Sequence, residues 1–460
     1  MRCMRPIVKR VIKWLGWGSL TFPLLFFIGF RWGLTPLPKP PQGVRITPLR
    51  PPLTVENIKA DNAAYYYLQA AKEMEVYEHT NDCKQLTESA EQMDALLAGD
   101  PSVNRKAIEQ TLADCAEVLQ LTRESASMKF CQMPMSDFDD KTFGYATEYR
   151  RLARFLCCAG ELARRDSNYE QARDEYLTVI KFGRDCATGG PLIAMLVGNA
   201  ISGMGAKALR TLMLEHTLPP ETGKMLAAEL IRLEADSPPL AETLRYELIY
   251  AKQVLDSIST PSSPLLLSRD TAHRVFDAAF GDMIQETQKP YWQSDGKKIV
   301  ERWEPQEKWI WLLAFNRPIP RIMLSILLPT LETTISRATR CEVDLRATAV
   351  VCALTGCVRV HGEPPERLDQ LVPDFLPAVP LDPFDGKPLR YRREGAGWVI
   401  WSVGSDMKND NAAWHEFKYR KRGEEREGGD IFFKSTEPED DLAWYLKQNA
   451  QSREVNTSAQ

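Results

Sequence analysis

The stretch P-A-V-P-L-D-P-F-D-G-K-P-L-R-Y at Pro377–Tyr391, followed by G-W-V-I-W-S-V-G-S-D at Gly397–Asp406, decides the fold of the C-terminal part of this chain. Its prolines exclude a central strand, because proline has no N–H group to donate to a sheet. Asp385–Gly386 is a turn signal. The β-rich runs Leu389–Arg392 and Trp398–Val403 flank a glycine-containing turn, as the strands of a hairpin do. We therefore predict a fixed surface loop followed by a short antiparallel sheet.

A long helix leads into this stretch. Residues 330–360 follow Pro329 and carry a broad apolar face at helical spacing, formed by Leu331, Ile335, Ala338, Leu345, Val350, Leu354 and Val358. A shorter helix is predicted at residues 365–371. Residues 331–436 are therefore predicted to form a small α+β module, built from one long helix and a short antiparallel sheet.

In the order and spacing of these elements, residues 341–433 resemble the globular part of type II secretion system pseudopilins of the major type. The matching features are the helix that ends at His361–Gly362, the short helix, the proline-rich loop and the two strands. Pseudopilins begin with a cleavage signature and an apolar helix that runs straight into this part, whereas here a long helical region intervenes. The resemblance implies the α+β fold and a link to an envelope assembly or a type II secretion-like apparatus.

The resemblance also implies a calcium site in the loop after the second strand. In the major pseudopilins this loop binds calcium, and Asp406 matches the acidic residue of their G-x-D element, with Asp410 in the same loop. Asn409 and Asn411 would add amide oxygens, and Asp430 would close the site. Calcium takes oxygen ligands of this kind. The alternative is that these Asp and Asn side chains only form local turns.

The N-terminus carries an uncharged apolar run from Trp14 to Phe30. At about 1.5 Å per residue, a helix of this length approaches the roughly 30 Å apolar thickness of a bilayer. The basic residues before the run are Arg2, Arg5, Lys9, Arg10 and Lys13, whereas the first acidic residue is Glu56. This bias favours a cytoplasmic N-terminus and an extracytoplasmic, periplasmic body.

No A-x-A pattern follows the apolar run, so we predict an uncleaved single-pass anchor in the cell membrane. The alternatives are a cleaved signal peptide and a buried helix. Residues 35–54 are rich in proline and predict a semi-rigid spacer in extended conformation.

The chain is predicted to be mainly α. From residue 55 to 330 its pattern is helical, with breaks at Gly189–Pro191, Pro219–Pro220 and Pro238–Pro239. The predicted parts are a basic tail and anchor (1–34), the spacer (35–54), an irregular helical-hairpin domain (55–330), the α+β module (331–436) and a disordered polar tail (437–460).

One stretch of the helical domain resembles a single degenerate tetratricopeptide unit. Its small and aromatic positions are Gly160, Ala163, Ala172, Tyr176 and Val179, on either side of a helix break at residues 166–168. Such positions let two antiparallel helices pack closely. No regular period extends this unit, so we predict an irregular array of helical hairpins instead of a solenoid.

Composition and motifs exclude several classes of function. The net charge of -4 provides no basic field that would attract nucleic acid. The sequence contains no phosphate-binding loop, Rossmann fingerprint, zinc-protease motif or nucleophile elbow. The cysteines are scattered without a C-x-x-C pair, which is typical of buried apolar thiols and leaves the redox compartment open.

We therefore predict a non-enzymatic, membrane-anchored, extracytoplasmic structural or interaction protein with an unidentified protein partner. The alternative is a hydrolase whose active site is assembled from scattered carboxylates of the helical domain. A deep pocket in which carboxylates or histidines converge would favour the hydrolase, and a groove without them would favour binding.

Overall fold

The computed structural model describes residues 39–80, 83–135, 141–258, 269–303, 318–412 and 431–435. Over these residues the chain is mainly helical and contains one small antiparallel sheet. The prediction of a mainly α fold with a short antiparallel sheet is therefore confirmed. The predicted anchor at Trp14–Phe30 and the predicted polar tail lie outside the described residues.

The chain divides into two compact units. The minor unit comprises Met1–Thr47, Leu248–Glu286 and Asp295–Thr333, and the main unit comprises Pro48–Glu247, Thr287–Ser294 and Thr334–Gln460. The region 55–330, which was predicted to form one helical domain, contributes to both units. Its predicted end at residue 330 lies close to the change of unit after Thr333.

Eight helices of the main unit follow one another along the chain. They are α1 (Ala63–Thr80), α2 (Cys83–Leu97), α3 (Arg105–Asp114), α4 (Ala116–Ser127), α5 (Lys141–Arg165), α6 (Tyr169–Cys186), α7 (Leu192–Glu215) and α8 (Pro220–Ala235). Several begin where the sequence supplies a cap. The side chain of Asn168, for example, accepts a hydrogen bond from the N–H of Gln171 at 3.3 Å, and Pro220 occupies the first position of α8.

The remaining elements involve both units. Helices α9 (Leu240–Ile258) and α12 (Pro318–His361) run from one unit into the other, and α10 (Arg269–Thr287) and α11 (Gly296–Trp303) belong almost wholly to the minor unit. Short 3-10 helices occur at Val55–Asn57, Tyr291–Gln293 and Leu368–Leu371.

Helices α5 and α6 form a hairpin with a tight interface. A Cβ atom on Gly160 would lie 2.5 Å from Cε1 of Tyr176, so this position of α5 admits only glycine opposite the tyrosine ring. Ala172 and Val179 on α6 are fully buried, and Ser167 turns the chain with a φ of 60°. The close hairpin follows from the small and aromatic residues, while the resemblance to a tetratricopeptide unit stays a prediction.

Helices α6 and α7 approach each other even more closely. A Cβ atom on Gly198 would overlap the carbonyl oxygen of Gly183 and lie 2.7 Å from the amide nitrogen of Ala187. A Cβ atom on Gly205 would lie 2.7 Å from the carbonyl oxygen of Tyr176. Glycine at these positions therefore brings the two helix backbones into direct contact.

Among the described helices, α7 is long and apolar enough to cross a membrane by length and composition. Its packing against α6 accounts for much of this apolar character, because 44% of its most apolar 18-residue stretch is buried within the protein. This helix is distinct from the anchor predicted at the N-terminus.

The C-terminal part contains strands β1 (Arg390–Glu394), β2 (Gly397–Ser402) and β3 (Ile431–Lys434) in the order β1–β2–β3, all antiparallel. The predicted hairpin is present as β1 and β2, with Tyr391 opposite Ile400. Strand β3 was not predicted. It falls on I-F-F-K, and its residue Phe433 pairs with Ile400.

The C-terminal helix and sheet share one hydrophobic core with α6, α7 and α8. That core contains Tyr176, Leu209, Leu226, Leu354, Leu371, Trp398 and Ile400. A Cβ atom on Gly223 of α8 would lie 3.1 Å from the Cα of Gly356 on α12, so these two helices also meet backbone to backbone. Within the main unit, the predicted α+β module is therefore built onto the helical hairpins.

The proline-rich segment is attached to the main unit over its last residues. The carbonyl oxygens of Arg50, Pro51 and Leu53 accept hydrogen bonds from the Tyr246 hydroxyl, the Gln132 side chain and the Met135 amide. These bonds measure 3.1, 2.8 and 2.8 Å. The spacer predicted over residues 35–54 is thus held in place from about residue 50 onward.

Candidate functional site

The proline-rich loop at Pro377–Pro388 is anchored by one buried carboxylate. Asp382 is fully buried, and its Oδ1 accepts hydrogen bonds from the Phe384 amide at 3.0 Å and the Ser402 hydroxyl at 2.9 Å. Its Oδ2 accepts from the Val403 amide at 2.9 Å and from Nη1 of Arg390 at 2.7 Å. This enclosed, fully hydrogen-bonded carboxylate fixes the loop onto β2, in agreement with a structural role for the loop.

The loop after β2 holds four of the predicted calcium ligands, Asp406, Asn409, Asp410 and Asn411. Oδ1 of Asp406 accepts a hydrogen bond from the Lys408 amide at 3.1 Å. Oδ1 of Asn409 accepts from the Trp401 indole at 2.8 Å and from the Asn411 amide at 3.1 Å. Asp406 and Asn409 therefore make turn contacts of the kind that the alternative interpretation expects.

The calcium site stays a prediction. Asp410 lies in the same loop, and Asp430 lies outside the described residues. Among the residues that the structure describes, no group of three or more His, Cys, Asp or Glu side chains is arranged to hold a metal ion. The amide oxygen of Asn409 accepts a hydrogen bond from the Trp401 indole in the described geometry.

A polar crevice of about 360 Å³ lies beside α4 and α6. Its cation, Arg123, is paired with the buried Glu175, with 2.9 Å between Nη2 and Oε1. Burial raises the pKa of Glu175 despite this partner. Most of the other lining side chains, including Glu170 and Asp174, are exposed. This crevice is open and carries no convergent reactive groups among the described residues.

An apolar slot lies between α1, α5 and the start of α7. It is lined chiefly by Leu68, Met133, Tyr145, Tyr149, Ile193 and Val197, and its volume is about 60 Å³. Since a water-sized group needs about 10–15 Å³ by this measure, the slot holds roughly four or five such groups. The slot therefore matches the end of an aliphatic side chain and is too small for a nucleotide or a flavin.

The floor of the slot is Tyr149, which is fixed by aromatic neighbours that lie outside the slot. The ring of Tyr149 meets Phe182 edge to face at a centroid distance of 5.7 Å, and the ring of Tyr67 lies 4.7 Å from Phe182 on another side. The Tyr67 hydroxyl donates a hydrogen bond to Oδ2 of the buried Asp185 at 2.9 Å. These contacts hold the floor rigid, so that the slot is preformed.

The mouth of the slot is apolar and open. Ile193 is 41% exposed although it is a large aliphatic residue on the first turn of α7. The turn is held in place because the carboxylate of Glu247 accepts a hydrogen bond from the Leu192 amide at 2.8 Å. A partly buried carboxylate thus positions an exposed apolar side chain at the rim.

The groups near the slot are poorly suited to acid–base or nucleophilic chemistry. Burial, followed by the charge of Asp185, raises the pKa of the Tyr67 hydroxyl and of the Cys186 thiol well above their ordinary values. A thiol is nucleophilic as the thiolate, so Cys186 stays inert at neutral pH. The slot is therefore equipped to bind an apolar group.

Most of the slot was missed at the sequence level. Tyr145, Ile193 and Val197 were not singled out. One local signal was present, because Ile193 follows the helix-initiating Gly189–Pro191 and stands where an exposed first turn is expected. The convergence of α1, α5 and α7 on one cavity depends on tertiary packing and has no sequence pattern of its own.

No known protein family, curated protein or solved structure matches this chain. The resemblance to pseudopilins therefore rests on the residues quoted above.

Proposed function

We propose that this protein is a membrane-anchored, extracytoplasmic interaction protein, and that the apolar slot binds an aliphatic side chain of a protein partner. The observation that carries the proposal is the preformed slot between α1, α5 and α7, with Ile193 exposed at its rim. Exposed apolar residues beside a cavity are typical of interaction sites, in which one buried side chain supplies much of the affinity.

The size of the slot supports a side chain as its occupant. A volume of about 60 Å³ accommodates the end of a leucine, methionine or valine. Filling it would bury apolar surface on both partners. Such burial stabilises a complex by about 25 cal/mol per Å². Further contacts around Ile193 would add to this, so the slot would act as the anchor point of a larger interface.

The membrane anchor and the link to a secretion-type assembly are part of the same proposal. The anchor rests on the apolar run Trp14–Phe30, and the link rests on the resemblance of residues 341–433 to pseudopilins. The alternative hydrolase would need several unpaired carboxylates in one place. In the described helices, Glu161, Glu175 and Asp185 are each paired with arginine.

Site-specific photocrosslinking in intact cells tests the proposal. A photoreactive phenylalanine derivative replaces Ile193 at the rim, and in a control chain it replaces Met225 on α8, which is 49% exposed and away from the slot. We expect one protein partner to crosslink from position 193, through a peptide with an aliphatic residue, and not from position 225. Ala194→Trp, which fills the slot, should abolish this crosslink, whereas Ala200→Trp on the exposed face of α7 should not.

The proposal would be contradicted if the same partner crosslinked equally from positions 193 and 225. Crosslinks from position 193 that persist in Ala194→Trp would also contradict it, because they would arise without occupation of the slot.

A further inference from the structure

The hydroxyl group of Tyr149 is an unpartnered polar group in the slot. Tyr149 lines the slot and is 9% exposed. Among the described residues its hydroxyl makes no hydrogen bond, whereas the nearby Tyr67 hydroxyl donates to Asp185. Unlike the sealed, unpaired Oε2 of Glu148 on the same helix, the Tyr149 oxygen keeps contact with open space. Since the residue is otherwise enclosed, this accessible hydroxyl opens into the slot that the residue lines.

A purely aliphatic occupant would leave this hydroxyl unsatisfied. Filling the slot removes the Tyr149 hydroxyl from water, and a buried hydroxyl without a partner is unfavourable, so buried polar groups in proteins are nearly always hydrogen-bonded. Burial raises the pKa of Tyr149 well above its ordinary value, so the phenol keeps its proton and can donate it. An occupant that carries an acceptor where it reaches the floor would therefore bind better than one without.

The two tyrosine rings that line the slot favour sulfur as this acceptor. The ring centroids of Tyr145 and Tyr149 are 6.3 Å apart, and their planes are inclined by 36°. A thioether sulfur makes favourable contacts at about 5 Å from an aromatic ring. One sulfur atom can lie at this distance from both rings, because the rings are separated by less than twice that distance. The ring of Tyr149 is held in place by its contact with Phe182, so this geometry exists before binding.

We propose that the side chain that enters the slot is a methionine of the partner, whose sulfur contacts both tyrosine rings and accepts a hydrogen bond from the Tyr149 hydroxyl. This inference rests on the proposed function, because it names the residue that the slot would bind. Among apolar aliphatic side chains, leucine, isoleucine and valine have no acceptor, whereas the methionine thioether is a weak one. Methionine is also unbranched and flexible, so it adapts to an existing cavity.

Groups with stronger acceptors fit the slot less well than a thioether does. Apart from the tyrosines, its walls are chiefly apolar and include Leu68, Met133, Ile193 and Val197. An amide or a carboxylate would bring further donors or a charge that find no partner on these walls. The acyl chain of a lipid has no acceptor at its end, and it is much longer than a slot of about 60 Å³ can enclose. Methionine combines an apolar body with one weak acceptor.

Amino-acid probes that differ in one atom group test the role of sulfur. We would add the N-acetyl amide of methionine, norleucine or leucine to the full chain in lipid nanodiscs and measure binding by ligand-observed NMR, with empty nanodiscs as the reference. Norleucine differs from methionine only by a methylene group in place of sulfur. We expect the methionine probe to bind about fivefold more tightly than the norleucine probe, in keeping with a sulfur–aromatic contact. Norleucine is the more hydrophobic of the two, so nonspecific binding would give the opposite order.

Three variants assign the effect. Tyr149→Phe keeps the ring but removes the hydroxyl, so it should bring methionine and norleucine to within about twofold of each other. Tyr169→Phe, at a ring that stacks on His216 and does not line the slot, should leave the preference unchanged. Ala194→Trp should abolish binding of all three probes.

The outcomes separate the present inference from the proposed function. Equal binding of the methionine and norleucine probes to the wild type would overturn the inference, and this comparison does not depend on the folding of any variant. A full preference that survives in Tyr149→Phe would overturn it as well. Absence of binding by any probe to the wild-type chain would overturn the proposed function of the slot itself.

Discussion

The hydroxyl group of Ser402 donates a hydrogen bond to Oδ1 of Asp382 over 2.9 Å, which joins strand β2 to the proline-rich loop in the interior of the protein. Both side chains are fully buried, and the other oxygen of Asp382 is bound by Arg390 and by the Val403 amide. The loop is therefore fastened at a single charged residue, and its conformation depends on that residue's full set of partners.

Asp382→Asn should strongly destabilise the main unit. The substitution replaces an acceptor oxygen by an amide group, which cannot accept from Arg390 and Val403, and it leaves Asp385 as the charge partner of Arg390. Removing one member of a buried ion pair costs about 3–5 kcal/mol. Denaturant unfolding followed by circular dichroism measures the change. Asp369→Asn removes an exposed partner of Arg367 instead and should cost less than about 1 kcal/mol. Equal effects of the two substitutions would contradict the anchoring role.

Two glycines of α7 should respond to alanine in opposite directions. A Cβ atom at Gly198 would overlap the backbone of α6, whereas one at Gly203 would have Oδ2 of Asp344 as its nearest neighbour, at 3.9 Å. Gly198→Ala should therefore destabilise the protein by about 1–3 kcal/mol or more through forced separation of α6 and α7. Gly203→Ala should be neutral or stabilise it by up to about 1 kcal/mol, because alanine favours the helix. Thermal and denaturant unfolding of both variants, compared with the wild type, provides the measurement.

The helices and the hairpin could be predicted because their signals are local. Asn168, Pro220 and the apolar spacing of residues 330–360 mark helix ends and faces, and the glycine-containing turn marks the β1–β2 hairpin. Strand β3 was not recognised, since I-F-F-K is short and has no partner adjacent in sequence. It pairs with β2 of the hairpin, where Phe433 lies opposite Ile400.

The candidate sites could be predicted even less well from local sequence signals. The sequence suggested that Asn409 was a ligand, but Trp401, eight residues earlier, uses its amide oxygen. Conversely, the slot brings together Leu68, Tyr145 and Ile193 from three helices that are distant in sequence. A residue list can show which side chains are able to bind a cation or an aliphatic group. Which of them remain available is decided by contacts between distant segments.

Cys186, in the wall of the slot, should resist alkylation in the native protein. Burial, followed by the charge of Asp185, raises the pKa of this thiol well above its ordinary value, so the reactive thiolate is scarce even at pH 8. N-ethylmaleimide followed by peptide mass spectrometry should find Cys186 unmodified under native conditions and fully modified in denaturant. Cys158 on α5, whose pKa burial also raises, serves as an internal comparison. Rapid native labelling of Cys186 but not of Cys158 would show that the slot opens further than the structure describes.

His216 should make the main unit less stable in mild acid. Its ring stacks on Tyr169 at a centroid distance of 4.4 Å, and its Nε2 accepts a hydrogen bond from Nη1 of Arg164 at 3.0 Å. Because an arginine can only donate, this bond requires the neutral ring, and a proton on Nε2 would face another cation. Burial and the Arg164 charge both lower the pKa of His216 below its ordinary value of 6.5, although Glu215 and Glu161 partly oppose them.

The sign of the pH dependence follows from this shift. A histidine whose pKa is lower in the folded state binds its proton more readily when the chain is unfolded, so the free energy of unfolding should fall as the pH drops below about 6.5. Unfolding measured at pH 7.5 and at pH 5.5 should show this loss in the wild type. It should be smaller in His216→Gln, whose side-chain oxygen can still accept from Arg164 but does not titrate. His79→Gln, at an exposed histidine on α1, should leave the loss unchanged. An identical loss in wild type and His216→Gln would assign the acid sensitivity to the carboxylates and exclude His216 as its source.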